Sequence, residues 1–102
     1  MSEASLTLSA DGVLSLVGVL DYRSGPALRE QGRKLISGCA QASLLLDCAG
    51  VSKSSSVGLA LVLAFMRDAR GVGKQLALRN LPEDMREIAQ VSGLGDLLPL
   101  QA

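Results

Sequence analysis

Residues 43–71, SLLLDCAGVSKSSSVGLALVLAFMRDARG, contain the strand-to-helix step on which the fold depends. Residues 43–47 are a short continuous apolar run bounded by polar residues, which predicts a central strand covered on both faces. From Ser52 to Ser56, four of five residues are serine, and Gly58 follows closely. The ten residues from Val57 to Met66 then carry no charge. A bilayer crossing needs about 20 apolar residues, so this run predicts a buried helix from about Val57 to Arg70, stopped at Gly71 or Gly73. Arg67 and Arg70 fall at its end, where cations oppose the negative pole of the helix dipole. A strand, a polar turn and an apolar helix in that order form the repeating unit of an α/β sheet.

On the N-terminal side, residues 5–9 (SLTLS) alternate polar and apolar, and residues 13–20 (VLSLVGVL) form a longer strand-like run. Asp11-Gly12 between them is a tight-turn signal, because both residues tolerate positive φ, and it predicts a β-hairpin. Beyond Asp21-Tyr22-Arg23 the period changes. Ser24 can cap, Pro26 suits a first turn, Leu28, Gly32, Leu35 and Ile36 recur at helical spacing, and Gly38 is a natural stop. On the C-terminal side, residues 75–79 (QLALR) predict another strand. Residues 80–84 (NLPED) then open a third helix, with proline near its first position and two acids in its first turn. Met85, Ile88, Ala89 and Ser92 mark one face of that helix, and Gly93 closes it. The tail, LGDLLPLQA, is apolar but interrupted by Gly95 and Pro99, and is expected to pack as a turn or short extension. The order β-β-α-β-α-β-α predicts one α/β domain over residues 1–102, with a mixed sheet and helices packed on it.

Composition agrees with that outline. The chain has 102 residues, of which 48% are hydrophobic and 20% charged, enough for one domain with a real core. Leu, Val and Ala dominate, with one Phe, one Tyr and no Trp, so the core is expected to be aliphatic. Ten basic and ten acidic residues cancel, which leaves no basic footprint for nucleic acid. The first nine residues lack a basic apolar leader, and no run is long enough to insert in a membrane. Cys39 and Cys48 form neither a CxxC pair nor a disulfide framework, as expected of reduced thiols in a cytoplasmic protein.

The search for chemistry returns absences. The sequence has no histidine, which removes the commonest general base and the usual Ser-His and Cys-His pairs. Gly71-Val72-Gly73-Lys74 lacks phosphate-loop spacing and follows a helix, so it reads as a helix stop. Asp11, Asp21 and Asp47 sit at expected turns or strand ends, with nothing to fix two of them on one metal, and no zinc-type cluster exists. No catalytic residue, metal or cofactor is expected. The serine run is the feature with physical meaning. A helix start leaves free backbone N–H groups that a serine can accept, and it favours negative charge, so a phosphate on Ser56 would be stabilised there. The plainer reading is that one serine caps and the others form a polar loop. That loop would still expose a patch at the carboxyl end of a central strand, where α/β sheets tend to bind ligands.

The hairpin, Gly18-Val19-Leu20-Asp21, the strand LLLD and Ser55-Ser56-Val57-Gly58-Leu59 together resemble the STAS domain family, over about residues 5–98. The family's anti-sigma factor antagonists carry Asp-Ser-Ser-Gly-Leu at this helix start. The resemblance places their phosphorylated serine on Ser56 and their Gly-Leu pair on Gly58 and Leu59, while Ser55 stands where they have the acid. The family also includes the MlaB-type subunits of Mla phospholipid ABC transporters. Their helix start, Thr-Gly-Gly-Leu-Ala-Leu-Leu-Leu, is similar to Ser56-Val57-Gly58-Leu59-Ala60-Leu61-Val62-Leu63. This second likeness implies a cytoplasmic, non-catalytic subunit held at the inner membrane by its ABC ATPase partner, in a complex that maintains outer-membrane lipid asymmetry. It implies docking through Lys53, Ser54, Ser55, Ser56, Val57 and Gly58. The first implies an antagonist that meets an anti-sigma factor kinase and is regulated by phosphorylation of Ser56. The missing acid and the Gly-Leu-Ala-Leu run lead the sequence reading toward the transporter role.

Overall fold

A computed structural model describes residues 4–100. Four strands lie in the spatial order β1-β2-β3-β4: β1 (Ser5–Leu8), β2 (Val13–Leu20), β3 (Ser43–Ser54) and β4 (Gln75–Arg79). β1 and β2 pair antiparallel as the hairpin, with Gly12 at φ +85° in its turn. β2/β3 and β3/β4 are parallel, so the sheet is mixed. The crossovers are α1 (Gly25–Gly38) and α2 (Ser56–Gly71), and α3 (Glu83–Val91) follows β4. A single 3₁₀ turn over Gly95–Leu97 leads to Leu100, which bridges Leu78 at the outer edge of β4. The tail thus forms the expected short extension. No helix of the described residues is long and apolar enough to cross a membrane.

The core lies on one face of the sheet. In β2, Leu14, Leu16 and Leu20 are buried while the alternate residues are half-buried or exposed, and β3 repeats this with Leu44, Leu46 and Cys48. This corrects the expectation of a strand covered on both faces. Side chains of a strand alternate faces, and Leu45 and Asp47 point to the side that is only half-buried. Leu59, Leu61, Val62, Phe65 and Ala69 of α2 enter the same core as Leu28 and Ile36 of α1 and Met85 and Ala89 of α3. Each fully buried Val, Leu or Phe contributes about 1.5–3 kcal/mol, so α2 is the main anchor of the helical layer. Phe65 is fully buried, and its ring lies against Gly32, where α1 and α2 cross.

Other details depart from the sequence reading. β3 runs through Ser54, well past Asp47, because Gly50, Val51, Lys53 and Ser54 pair with Val17, Gly18, Val19 and Leu20 across two register shifts. The hydroxyl-rich stretch is therefore the end of a strand as well as a turn. Ser24 makes no side-chain cap on α1. Its Oγ donates to the Val19 carbonyl at 2.9 Å and accepts from the Asp21 N–H at 3.1 Å. The Asp21 carboxylate accepts from the N–H groups of Arg23 and Ser24, and the Arg23 bond above all holds its pKa below the ordinary value. Gly38 ends α1 without positive φ, the chain leaving through extended Cys39. In α3, Ser92 is an exposed C-cap and not part of the inward face.

Both cysteines are free; Cys48 is buried and Cys39 half-buried. Burial, reinforced by the neighbouring Asp47 charge, pushes the Cys48 thiol up to about 12. Because the thiolate is the reactive species, an aromatic disulfide reagent at pH 8 is expected to label one thiol in the native chain, Cys39. Denaturant should release the second. Equal labelling of both in the folded state would contradict this packing.

Candidate functional site

The site grows from the carboxyl ends of two neighbouring parallel strands. β2 ends at Leu20 and β3 at Ser54, and the two residues are register partners. Ser55 then joins three elements. Its N–H donates to the Leu20 carbonyl at 3.0 Å, and its Oγ donates to the same oxygen at 3.3 Å. That Oγ also accepts from the Val57 N–H at 3.1 Å, the N-cap bond of α2. Ser55, in extended conformation, thus fixes the entry angle of α2 against the end of β2. Removing an N-cap hydroxyl typically costs about 1 kcal/mol, so Ser55→Ala is expected to lower the unfolding free energy by roughly that amount. A denaturant midpoint unchanged from wild type would show that the cap contributes nothing.

The neighbouring serines have different tasks. Ser54 is buried, and its Oγ donates to the Ser55 carbonyl at 2.9 Å. The Ser54 N–H reaches the Asp84 carboxylate, in the first turn of α3, at 3.4 Å. Ser56 is the first residue of α2 and is exposed, with Lys53 exposed on the preceding strand end and Val57 half-buried beside it. Gly58 is buried where α2 passes closest to the strand end. A Cβ there would fall on Ser54 Oγ and lie 3.1 Å from both Ser54 Cβ and Met85 Cε. The structure therefore brings all six residues expected for docking into one turn, with Ser56 outward and Ser54 and Gly58 serving the packing beneath it.

Sequence reasoning missed the surroundings of this turn. Tyr22, two residues beyond the end of β2, is 76% exposed, with the Arg23 guanidinium 5.7 Å from its ring centre. Tyr22, Pro26, Val57 and Ala60 line a groove of about 440 Å³ between the start of α1 and α2. Gly25 lets the two helix starts approach, since a Cβ there would come within 2.9 Å of Val57 Cγ1. The available signal was a lone aromatic placed after a strand end in a chain nearly devoid of aromatics. Chemically, the site is a hydroxyl-bearing turn carrying one exposed cation, Lys53, beside a groove whose apolar lining is joined by Arg29 and Arg67. Among the described residues there is no group of His, Cys, Asp or Glu that could hold a metal ion. Asp47, deeper on the sheet, is occupied by Arg79 Nη2 at 2.7 Å, which principally keeps its pKa below the ordinary value, and by the Asn80 amide.

Comparison with known proteins agrees with this geometry. A family profile described as "Mlab, STAS domain" matches residues 6–99. An anti-sigma F factor antagonist of Lysinibacillus sphaericus is 31% identical over 83 residues, which cover 81% of this chain and 71% of that protein. The phosphorylated form of the Bacillus cell fate determinant SpoIIAA superposes with a TM-score of 0.67 at 25% identity, covering 97% of this chain and 91% of that one. An anti-sigma factor antagonist from Mycobacterium paratuberculosis reaches a TM-score of 0.76 at 22% identity, over 98% and 85% of the two chains, and supports the fold alone. Matched by the family profile over residues 6–99, the chain belongs to the STAS domain family.

Proposed function

We propose that this chain is a non-catalytic docking module that binds a protein partner through residues 53–58, in the manner of an anti-sigma factor antagonist. The observation that carries the reading is the division of labour at the α2 start. Ser55 makes the cap, so the Ser56 hydroxyl is left exposed at a helix N-terminus. That position tolerates a phosphate, through free amides and the dipole. Ser55, where the antagonists have an acid, retains the capping task that an Asp would perform equally well.

Phosphorylation of Ser56 would place about −1.5 to −2 charges on a docking face whose only charged residue within 53–58 is Lys53. Glu83 and Asp84 lie in the first turn of the neighbouring α3, and the Asp84 carboxylate already reaches the turn. The added charge is expected to weaken docking to any partner that packs on the unmodified turn. An anti-sigma factor with kinase activity fits both tasks, as binder and as phosphoryl donor.

A second reading has its own support. The matching family description names Mlab, and Gly58-Leu59-Ala60-Leu61 continues that likeness. In it the partner is the ATPase of an Mla-type phospholipid ABC transporter, and the chain sits at the inner membrane through that partner. Copurification of the tagged full chain from its own cells separates the two. An anti-sigma factor supports the proposal, and an ABC ATPase selects the transporter reading. Recovery of neither, with the chain soluble and folded, would contradict both.

A further inference from the structure

We infer that the flank of α2 facing the C-terminal segment is a second docking groove, built for an acidic amphipathic helix of a protein partner. This deepens the docking proposal by naming the helix face and the chemistry that it accepts. The groove measures about 520 Å³; Leu63, Met66, Leu94 and Leu97 line it with Ala60, and Arg67 and Arg70 stand at its edge. Leu97 is 63% exposed although it belongs to this apolar strip.

The charge pattern specifies the occupant. Among the described residues Arg23, Arg29, Arg33, Lys34 and Arg79 each have a carboxylate partner, whereas Lys53, Arg67, Arg70, Lys74 and Arg86 have none, and of these Arg67 and Arg70 are the two that line the groove. No carboxylate lines the groove. Two unneutralised guanidinium groups beside an aliphatic floor complement a helix with apolar residues at i, i+3 or i+4 and i+7, flanked by Asp or Glu. An anionic bilayer fits less well. Each basic residue near such a surface contributes about 1 kcal/mol, two are few, and the whole chain carries ten acids against ten bases. Leu63, Met66 and Leu94 are also only half-exposed within the groove, which leaves Leu97 as its one large exposed apolar side chain, too little for an insertion wedge.

The test is titration of the isotopically labelled full chain, followed by amide NMR shifts, with a synthetic helical peptide carrying Leu at i, i+3/i+4 and i+7 and Glu on the flanks. The same peptide with Lys for Glu and phosphatidylglycerol vesicles serve as competing probes. Shifts are expected at Leu63, Met66, Leu94 and Leu97 with the Glu peptide. Binding should fall roughly tenfold in the Arg67→Glu/Arg70→Glu double variant, and thermal melting should confirm that this variant is folded. Arg67→Gln/Arg70→Gln should give a smaller loss. Absent or scattered shifts, equal binding of the Lys peptide, or a preference for vesicles would each overturn the inference. The two proposals also fail separately. If Ser56→Glu abolishes partner capture while the double arginine variant leaves both capture and peptide shifts unchanged, the groove inference falls and turn docking stands. If the arginine variant loses the peptide while Ser56→Glu captures the partner normally, the groove stands and turn docking falls.

Discussion

Replacing Phe65 with alanine is expected to lower the unfolding free energy by about 3–5 kcal/mol, a fifth or more of the roughly 5–15 kcal/mol typical of a whole domain. The ring is fully buried and fills the crossing of α1 over α2. No other aromatic residue exists in the core to close over the cavity, because Tyr22 is exposed. The converse substitution tests the same contact. A Cβ on Gly32 would collide with Phe65 Cε1 and lie 2.7 Å from Cζ and 2.8 Å from Cδ1. Gly32→Ala gains about 1 kcal/mol of helix propensity, but forcing a methyl into a filled core typically loses about 1–3 kcal/mol. The variant should therefore be destabilised or at best neutral, where an open helix position would have been stabilised. Combined with Phe65→Leu, it should be less destabilised than the sum of the two single changes, by about 1 kcal/mol. Chemical denaturation of the four proteins measures this; strict additivity would show that the two residues do not share the space.

Gly58→Ala should have the largest effect on the docking turn. The added methyl would fall on Ser54 Oγ, and it cannot move away easily because Ser54 Cβ and Met85 Cε stand at 3.1 Å. Ser54 must rotate and give up the bond from its Oγ to the Ser55 carbonyl, a buried bond whose loss costs about 1–3 kcal/mol. The strain reaches Ser55 and Ser56 directly, so partner affinity should fall together with stability. Ser54→Ala in the same chain removes the obstructing oxygen and should restore most of the stability. A Gly58→Ala chain with native melting and native partner affinity would show that the close approach is unimportant.

The parts of this fold set by local chemistry were legible in the sequence. Asp11-Gly12 predicts the hairpin because the turn needs positive φ, and Gly12 adopts it. The uncharged run 57–66 predicts α2 to within a residue or so of its observed ends. What depended on distant pairing was not legible. Residues 49–54 have little strand character of their own and are held in β3 by β2. That extension decides which serine caps: three hydroxyls in a row fit the local pattern, and only the end of the strand at Ser54 makes Ser55 the cap. One-sided coverage of LLLD was equally hidden, since a short apolar run reads the same with one face covered or two. The groove beside Arg67 and Arg70 exists because the C-terminal segment folds back to pair with β4, and no spacing within α2 announces it.

The central claim is that an exposed, uncharged Ser56 forms part of a protein-docking face. Its most direct test is the affinity of the copurifying partner, once identified, for three purified chains: wild type, Ser56→Ala and Ser56→Glu, measured by calorimetry alongside thermal melting. A neutral side chain should bind within a few-fold of wild type. Glutamate should bind at least tenfold more weakly, as expected for a charge buried without a partner in an interface, with melting unchanged or slightly raised, because Ser55 and not Ser56 caps the helix and an acid in the first turn suits the dipole. Equal affinity of all three folded chains would contradict the account.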